Sequence, residues 1–187
     1  MQEKTKEIAF SALLGTMMIV SGLWLKFPIP GTDVLFTSQV FFVLLCGLLF
    51  PPRLCLLSIG TYLFLGLIGL PVFSAVQGIG VLATPSFGYL LAFPFSAAVT
   101  SACQGRMKSF KGSRLVAACA GILVLYTIAL LYISCLKGLY FAETVSFTVL
   151  LNAYCLSFLP MDILKGLLAA LMANRLGKIL MFQRMRF

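Results

Sequence analysis

Residues 86–136 read SFGYLLAFPFSAAVTSAC, then QGRMKSFKGS, then RLVAACAGILVLYTIALLYISCL. Two apolar runs of 18 and 23 residues flank a short basic connection. A helix crossing the hydrocarbon core of a bilayer needs about 20 apolar residues. A soluble helix would show one polar face, and neither run has one. The same punctuation repeats on both sides, so the whole chain reads as a string of membrane spans.

Composition agrees. Of 187 residues, 61% are apolar and only 10% charged, with mean hydropathy +1.07. A soluble domain carries about 25% charged residues. Working outward from 86–103 and 114–136, further spans are expected at 7–25, 35–50, 54–69 and 160–180. The breaks between them are FPIPGTDV (27–34), Pro51-Pro52-Arg53 and the Gly- and Pro-rich stretch 70–85, all turn chemistry. The apolar segment 145–158 is too short for a full crossing and reads as a partial, interfacial or re-entrant helix. The fold class is all-α: one polytopic domain over 1–187 with six transmembrane helices, because lipid-exposed backbone must pair within itself. Alternating ten-residue strands, which a barrel requires, are absent from the sequence.

The bases set the orientation. With both termini in the cytoplasm, Lys4, Lys6, Arg53, Arg106, Lys108, Lys111, Arg114, Arg175, Lys178, Arg184 and Arg186 all lie inside, 11 of the 14 Lys and Arg. Lys26 and Lys137 fall outside, and Lys165 falls within a span. That asymmetry obeys the positive-inside rule and places the chain as a multi-pass protein of the cell membrane. A signal peptide at the N-terminus is disfavoured by the length of its apolar run and the spans that follow. The net charge of +9 is no nucleic-acid footprint, since the bases form short clusters between apolar runs rather than a stripe.

Enzyme chemistry is poorly supplied. The sequence has no His, no C-x-x-C among its six cysteines and no P-loop or nucleophile elbow. Neither a metal nor a cofactor is expected, and the cysteines read as small apolar packing residues. Two charges stand out, Asp162 and Lys165, in the first turn of the last span after Pro160. Spacing i, i+3 puts them on one face. The helix dipole favours Asp162 there and disfavours Lys165, so the lysine wants an anionic or carbonyl partner. Ionisable groups at membrane depth cost about 2.5–3.5 kcal/mol on insertion scales and mark function by default; a plain ion pair or snorkelling to the interface is the alternative. Thr37 and Gln39, at the start of the second span, face the same side, either as ligand groups or as caps. The stretch 70–89, with Gln77, Gly78, Gly80, Ser86, Gly88 and Tyr89, is able to fold back over such a site; an ordinary outer loop is the alternative. Small residues recur at four-residue spacing in the first span (Ser11/Gly15, Ala12/Thr16) and the last (Gly166/Ala170, Ala169/Ala173), suited to close packing inside the bundle or against a partner.

Five motifs, in order, resemble the BioY family: Pro28-Ile29-Pro30-Gly31, Phe36-Thr37-Ser38-Gln39, Gly69-Leu70-Pro71-Val72-Phe73, Pro85-Ser86-Phe87-Gly88-Tyr89-Leu90 and Pro160-Met161-Asp162-Ile163-Leu164-Lys165. These are the biotin-specific S components of energy-coupling factor (ECF) transporters. The resemblance implies six helices, a biotin pocket near the outer face, and a T component with paired ATPases as partners. It implies that Asp162 and Lys165 serve biotin; Thr37, Gln39, Gln77, Ser86, Gly88 and Tyr89 are the further candidate ligand residues from the reading above. It also implies that an A-x-x-x-A pattern in the first helix docks the T component, for which Ser11, Ala12, Gly15 and Thr16 stand in here. Where the family reads P-T-x-G-Y this chain has P-S-F-G-Y, keeping the hydroxyl and adding a bulkier Phe87. An S component or small carrier for a different vitamin is the competing expectation.

Overall fold

The computed structural model describes residues 2–28, 34–74, 76–107, 112–140 and 146–184, with side-chain surroundings for most of them. Of the residues singled out above, Ile29, Pro30, Gly31, Lys108, Lys111, Val145 and Arg186 lie outside the described residues, as do the surroundings of Lys4, Lys6, Ser11, Lys178 and Arg184.

Helix α1 spans Gln2–Trp24. A ribbon of β1 (Lys26–Pro28) and β2 (Leu35–Thr37) follows, then α2 (Gln39–Leu49) and α3 (Pro52–Leu67). A 3-10 turn at Gly78–Ala83 leads to α4 (Ser86–Arg106) and α5 (Ser113–Cys135), which ends in a π turn, Leu136–Tyr140. A one-turn α6 (Phe147–Leu151), a second π turn (Asn152–Leu156) and α7 (Leu159–Arg184) complete the chain. Three helical stretches, Ser86–Arg106, Ser113–Tyr140 and Phe147–Gly177, are long and apolar enough to cross a membrane; Ala12–Trp24, Gln39–Leu49 and Pro52–Leu67 are shorter apolar helices. The six expected spans thus correspond to six apolar helical stretches.

Two details differ from the sequence expectation. Residues 35–37 are not helical: they pair antiparallel with 26–28, Phe27 opposite Phe36. The 11 residues of α2 rise only about 16 Å at 1.5 Å each, and the ribbon satisfies the backbone that the helix leaves off. The segment 145–158, expected as a partial, interfacial or re-entrant helix, runs from Phe147 as α6 and a π turn into α7, with the Asp162 N–H donating to Phe158 O at 3.0 Å.

Small residues line several helix–helix contacts beside large buried ones such as Leu44, Tyr62 and Leu125, and many large apolar side chains face outward. Ala92, Ala97, Ala117, Ala118, Ala129, Ala169 and Ala173 are fully buried, while Leu57, Phe64, Leu123, Leu131 and Leu171 are exposed. That is the arrangement expected when the surroundings are as apolar as the core and helices associate by close approach. The α4–α5 pair is the most extensive contact, and α2 sits between α4 and α7. Gly47 on α2 faces Ala97 O and Thr100 on α4; Gly121 on α5 faces Thr100 and Ser96 O. Ser96 Oγ donates to Gly121 O at 2.8 Å. On α7, Gly166 meets Ile122, Leu44 and Ala118, so the small residues of this helix serve packing within the bundle. On α1, Ala12 and Thr16 are exposed and Gly15 faces open space.

Cross-links define two ends. At one, Ser101 Oγ donates to Phe50 O and Arg114 donates to Asn174; Arg53, Arg106 and Arg175 lie on the same termini. At the other, the ribbon, the stretch after α3 and the first turns of α4 and α7 come together. The stretch after α3 is shaped by Gly69, whose φ of 101° is the left-handed position that ends a helix. Its N–H donates to Gly66 O, and Leu70 N–H donates to Leu65 O. The loop turns back so that Phe73 lies flat over Gly66 and edge-on to Tyr62 at 5.4 Å. A Cβ on Gly66 would collide with that ring. Gly66→Ala is therefore expected to expel Phe73 and lower the melting temperature of the detergent-solubilised protein. Overpacking costs about 1–3 kcal/mol; an unchanged melting curve would disprove the Phe73 seat.

Candidate functional site

A cleft with about 470 Å³ of unfilled space between its walls, part of it open to the surroundings, lies at the ribbon end. Three elements build it by their own periodicity. On α4, Ser86, Tyr89, Leu90 and Phe93 line it, at i, i+3, i+4 and i+7, one helical face. From α7 and the turn before it come Phe158, Asp162 and Lys165, again at i, i+4 and i+7. The third wall runs from Val34 through Phe36, Thr37 and Gln39 to Val40, and Ser74 closes the rim.

Asp162 and Lys165 form the polar floor. Their side chains are 4% and 11% exposed, and Lys165 Nζ is 2.7 Å from Asp162 Oδ1. The same ammonium donates to Thr37 O at 2.7 Å and stands 3.7 Å above the centre of the Phe36 ring. The lysine thus has the anionic and carbonyl partners its position demands, with a cation–π contact besides. The second Asp162 oxygen, Oδ2, accepts from Tyr126 OH at 2.6 Å. The pair is paired and hydrogen-bonded, the condition under which buried charges are tolerated. An ammonium has three donors and a carboxylate about four acceptor positions. One Lys165 N–H and about two Asp162 lone pairs thus remain for a ligand.

The other expected site residues divide. Ser86, Tyr89, Thr37 and Gln39 line the cleft with Asp162 and Lys165. Tyr89 is held by a bond from its hydroxyl to Tyr154 O. Gln39 is 2% exposed; its amide donates to Tyr62 OH at 2.6 Å and Met18 O at 3.3 Å, tying α2 to α3 and α1. Gln77 and Gly88 stand off the lining. Gln77 staples its loop, accepting from Phe73 N–H at 3.0 Å and donating to Phe73 O at 2.9 Å. Gly88 faces α5, where a Cβ would meet Ala129 O at 3.0 Å. The mouth carries a further tie, Lys26 Nζ to Ser74 O at 2.7 Å. Among the described residues, no three acids, cysteines or histidines form a metal-binding group.

The BioY family model matches residues 1–182 of the chain. This chain belongs to the BioY family. Its relatives include the probable biotin transporter BioY of Pyrococcus horikoshii, 32% identical over 92% of this chain and 97% of the relative. The probable biotin transporter BioY of Lysinibacillus sphaericus is 30% identical over 95% and 90% of the two chains, and the biotin transporter BioY of Thermotoga maritima is 32% identical over 88% and 92%. The fold matches the 2.1 Å crystal structure of the S-component for biotin from an ECF-type ABC transporter, with TM-score 0.81 and 24% identity over 95% of this chain and 93% of that one.

For this BioY-family chain, sequence reasoning missed the roles of Phe36, Phe93, Phe158 and Tyr126. Phe36 lay in a quoted motif, yet its place under an ammonium depends on the ribbon register. Tyr126 carried a signal: a hydroxyl in mid-span needs an acceptor in lipid, and the sequence offers few.

Proposed function

We propose that the chain is the biotin-capturing membrane subunit of an uptake system, taking the vitamin from the outer face of the cell membrane. The observation that carries this is the buried Asp162–Lys165 pair in a cleft that joins apolar and aromatic walls to a few neutral polar groups, supported by family membership and by the names its relatives bear. Biotin joins a neutral ureido ring, an apolar thiophane ring and a valerate carboxylate. Asp162 accepts from ureido N–H, and Lys165 donates to the ureido oxygen or the carboxylate. Tyr89, Phe93, Phe158 and Phe36 supply flat apolar walls for the rings. Thr37 and Gln39 hold the lysine's carbonyl partner and the start of α2 in register, and Ser86 offers a hydroxyl at the rim. Gln77 and Gly88 act one step back, by shaping the loop and the α4–α5 approach.

The positive-inside rule supports an orientation with both termini in the cytoplasm and the cleft facing out. The exposed Ala12 and Thr16 with open Gly15, and Ser11 beside them, then give α1 a face for an ECF T component. That partner and its ATPases would energise release, since this chain carries no nucleotide motif of its own. Its role is that of a carrier rather than a catalyst. The test is labelled-biotin uptake in cells lacking their own carrier, with and without the energising subunits. Biotin accumulation that depends on this chain is expected; accumulation no greater than in cells without it, at normal expression, would sink the proposal.

A further inference from the structure

Tyr126 stands outside the cleft lining, yet among the described residues it alone donates a hydrogen bond to the Asp162 carboxylate from another helix. We propose that Tyr126 is the positioning residue of the ligand site, fixing the rotation of the Asp162 carboxylate from α5. The ligand in this inference rests on the biotin reading above.

The torsion that turns a carboxylate is broad and nearly two-fold. Lys165, on the same helix, holds only Oδ1, and one anchor leaves the group free to rock about it. Tyr126 OH holds Oδ2 at 2.6 Å, so the two oxygens are pinned from two helices and the plane is set. The tyrosine is itself placed by packing: it is 5% exposed, and its ring meets Tyr89 edge-on at 6.2 Å. A phenol donates to a carboxylate and leaves it an acceptor. With one donor already on each oxygen, the remaining lone pairs suit N–H donors such as one ureido N–H of a cyclic urea, and they disfavour a second anion. A site built this way rejects ligands that lack those donors, because its buried acceptors would go unpaired. The bland alternative is that Asp162 merely satisfies a buried hydroxyl.

The two differ in a double-mutant cycle. Biotin dissociation constants are measured in detergent for the native chain, Y126F, D162N and Y126F/D162N. Phe keeps the ring and its contact with Tyr89 while removing the hydroxyl. Y126F is expected to weaken biotin by about tenfold on the native background, the scale of a hydrogen bond to a charged group. On the D162N background it is expected to cost less than about twofold, the residue of near-additive noise. Equal losses on both backgrounds, or no loss on the native one, overturn the positioning role. Should D162N bind too weakly to measure, methylation of a ureido nitrogen on the ligand replaces it as the second perturbation, with the same opposing outcomes. Absence of biotin binding by the native chain would overturn the biotin reading itself, and the role of Tyr126 with it.

Discussion

Replacing Lys165 alone by Ala is expected to destabilise the empty protein more than replacing Lys165 and Asp162 together. Removing the ammonium strands a carboxylate whose residue is 3% exposed with Tyr126 as its remaining partner. Breaking a buried pair by deleting one member costs about 3–5 kcal/mol, whereas replacing both by apolar residues of similar volume, as in a Lys165→Met/Asp162→Leu double variant, is often near neutral. Asp162→Ala strands Lys165 in turn, but Thr37 O and the Phe36 ring still hold the ammonium. The expected order of melting temperatures, without ligand and in detergent, is native and double variant highest, Asp162→Ala next, and Lys165→Ala lowest. Identical melting of the single and double variants would show that the pair is not buried as described.

The second large effect is expected at Gly47. A Cβ there would stand 2.6 Å from Ala97 O and 2.7 Å from Thr100 Cβ. Ala97 O belongs to the backbone of α4 and cannot rotate aside, so Gly47→Ala must push α2 off α4. Overpacking of this kind costs about 1–3 kcal/mol. It also reaches the cleft, because α2 begins at Gln39 and the residue two before it, Thr37, holds Lys165. Both melting temperature and ligand affinity should fall. Gly60 on α3 is the control: nothing lies within 4 Å of its would-be Cβ. Gly60→Ala should be neutral or stabilising, by up to about 1 kcal/mol from helix propensity. Equal melting of the two variants would contradict the α2–α4 seam.

The features legible in the sequence are those set by local pattern. Apolar length gave the helices, Pro and Gly the breaks, and i, i+3 spacing put Asp162 and Lys165 together. Helical backbone from Phe147 runs into α7, so no helix start stands beside Lys165 and the dipole expected to disfavour it does not act there. Its need for acceptors follows instead from a charge at membrane depth, and the structure supplies two. Features fixed by tertiary register were not legible. Leu35–Thr37 reads as the start of an apolar run, and only its pairing with Lys26–Pro28 turns it into a wall of the cleft. Gln77 looks like a lone polar group beside a site, yet its amide is spent on Phe73 within its own loop. Gly88 sits in a quoted motif beside Tyr89, but the helical turn sends the two to different neighbours, α5 and the cleft. Tyr126 was hidden for the same reason: partner choice across helices is not written in spacing along one of them.

The central claim is that a paired acid and base at the floor of the cleft recognise biotin. Equilibrium titration of the purified chain with labelled biotin tests it most directly, comparing native protein with Asp162→Ala/Lys165→Ala. Hydrogen bonds to charged groups contribute about 1.5–3 kcal/mol each, so losing two should weaken binding by roughly a hundredfold or more. The account predicts one saturable site per native chain and its loss from a double variant that still melts cooperatively. Native-like affinity in that folded double variant would contradict it.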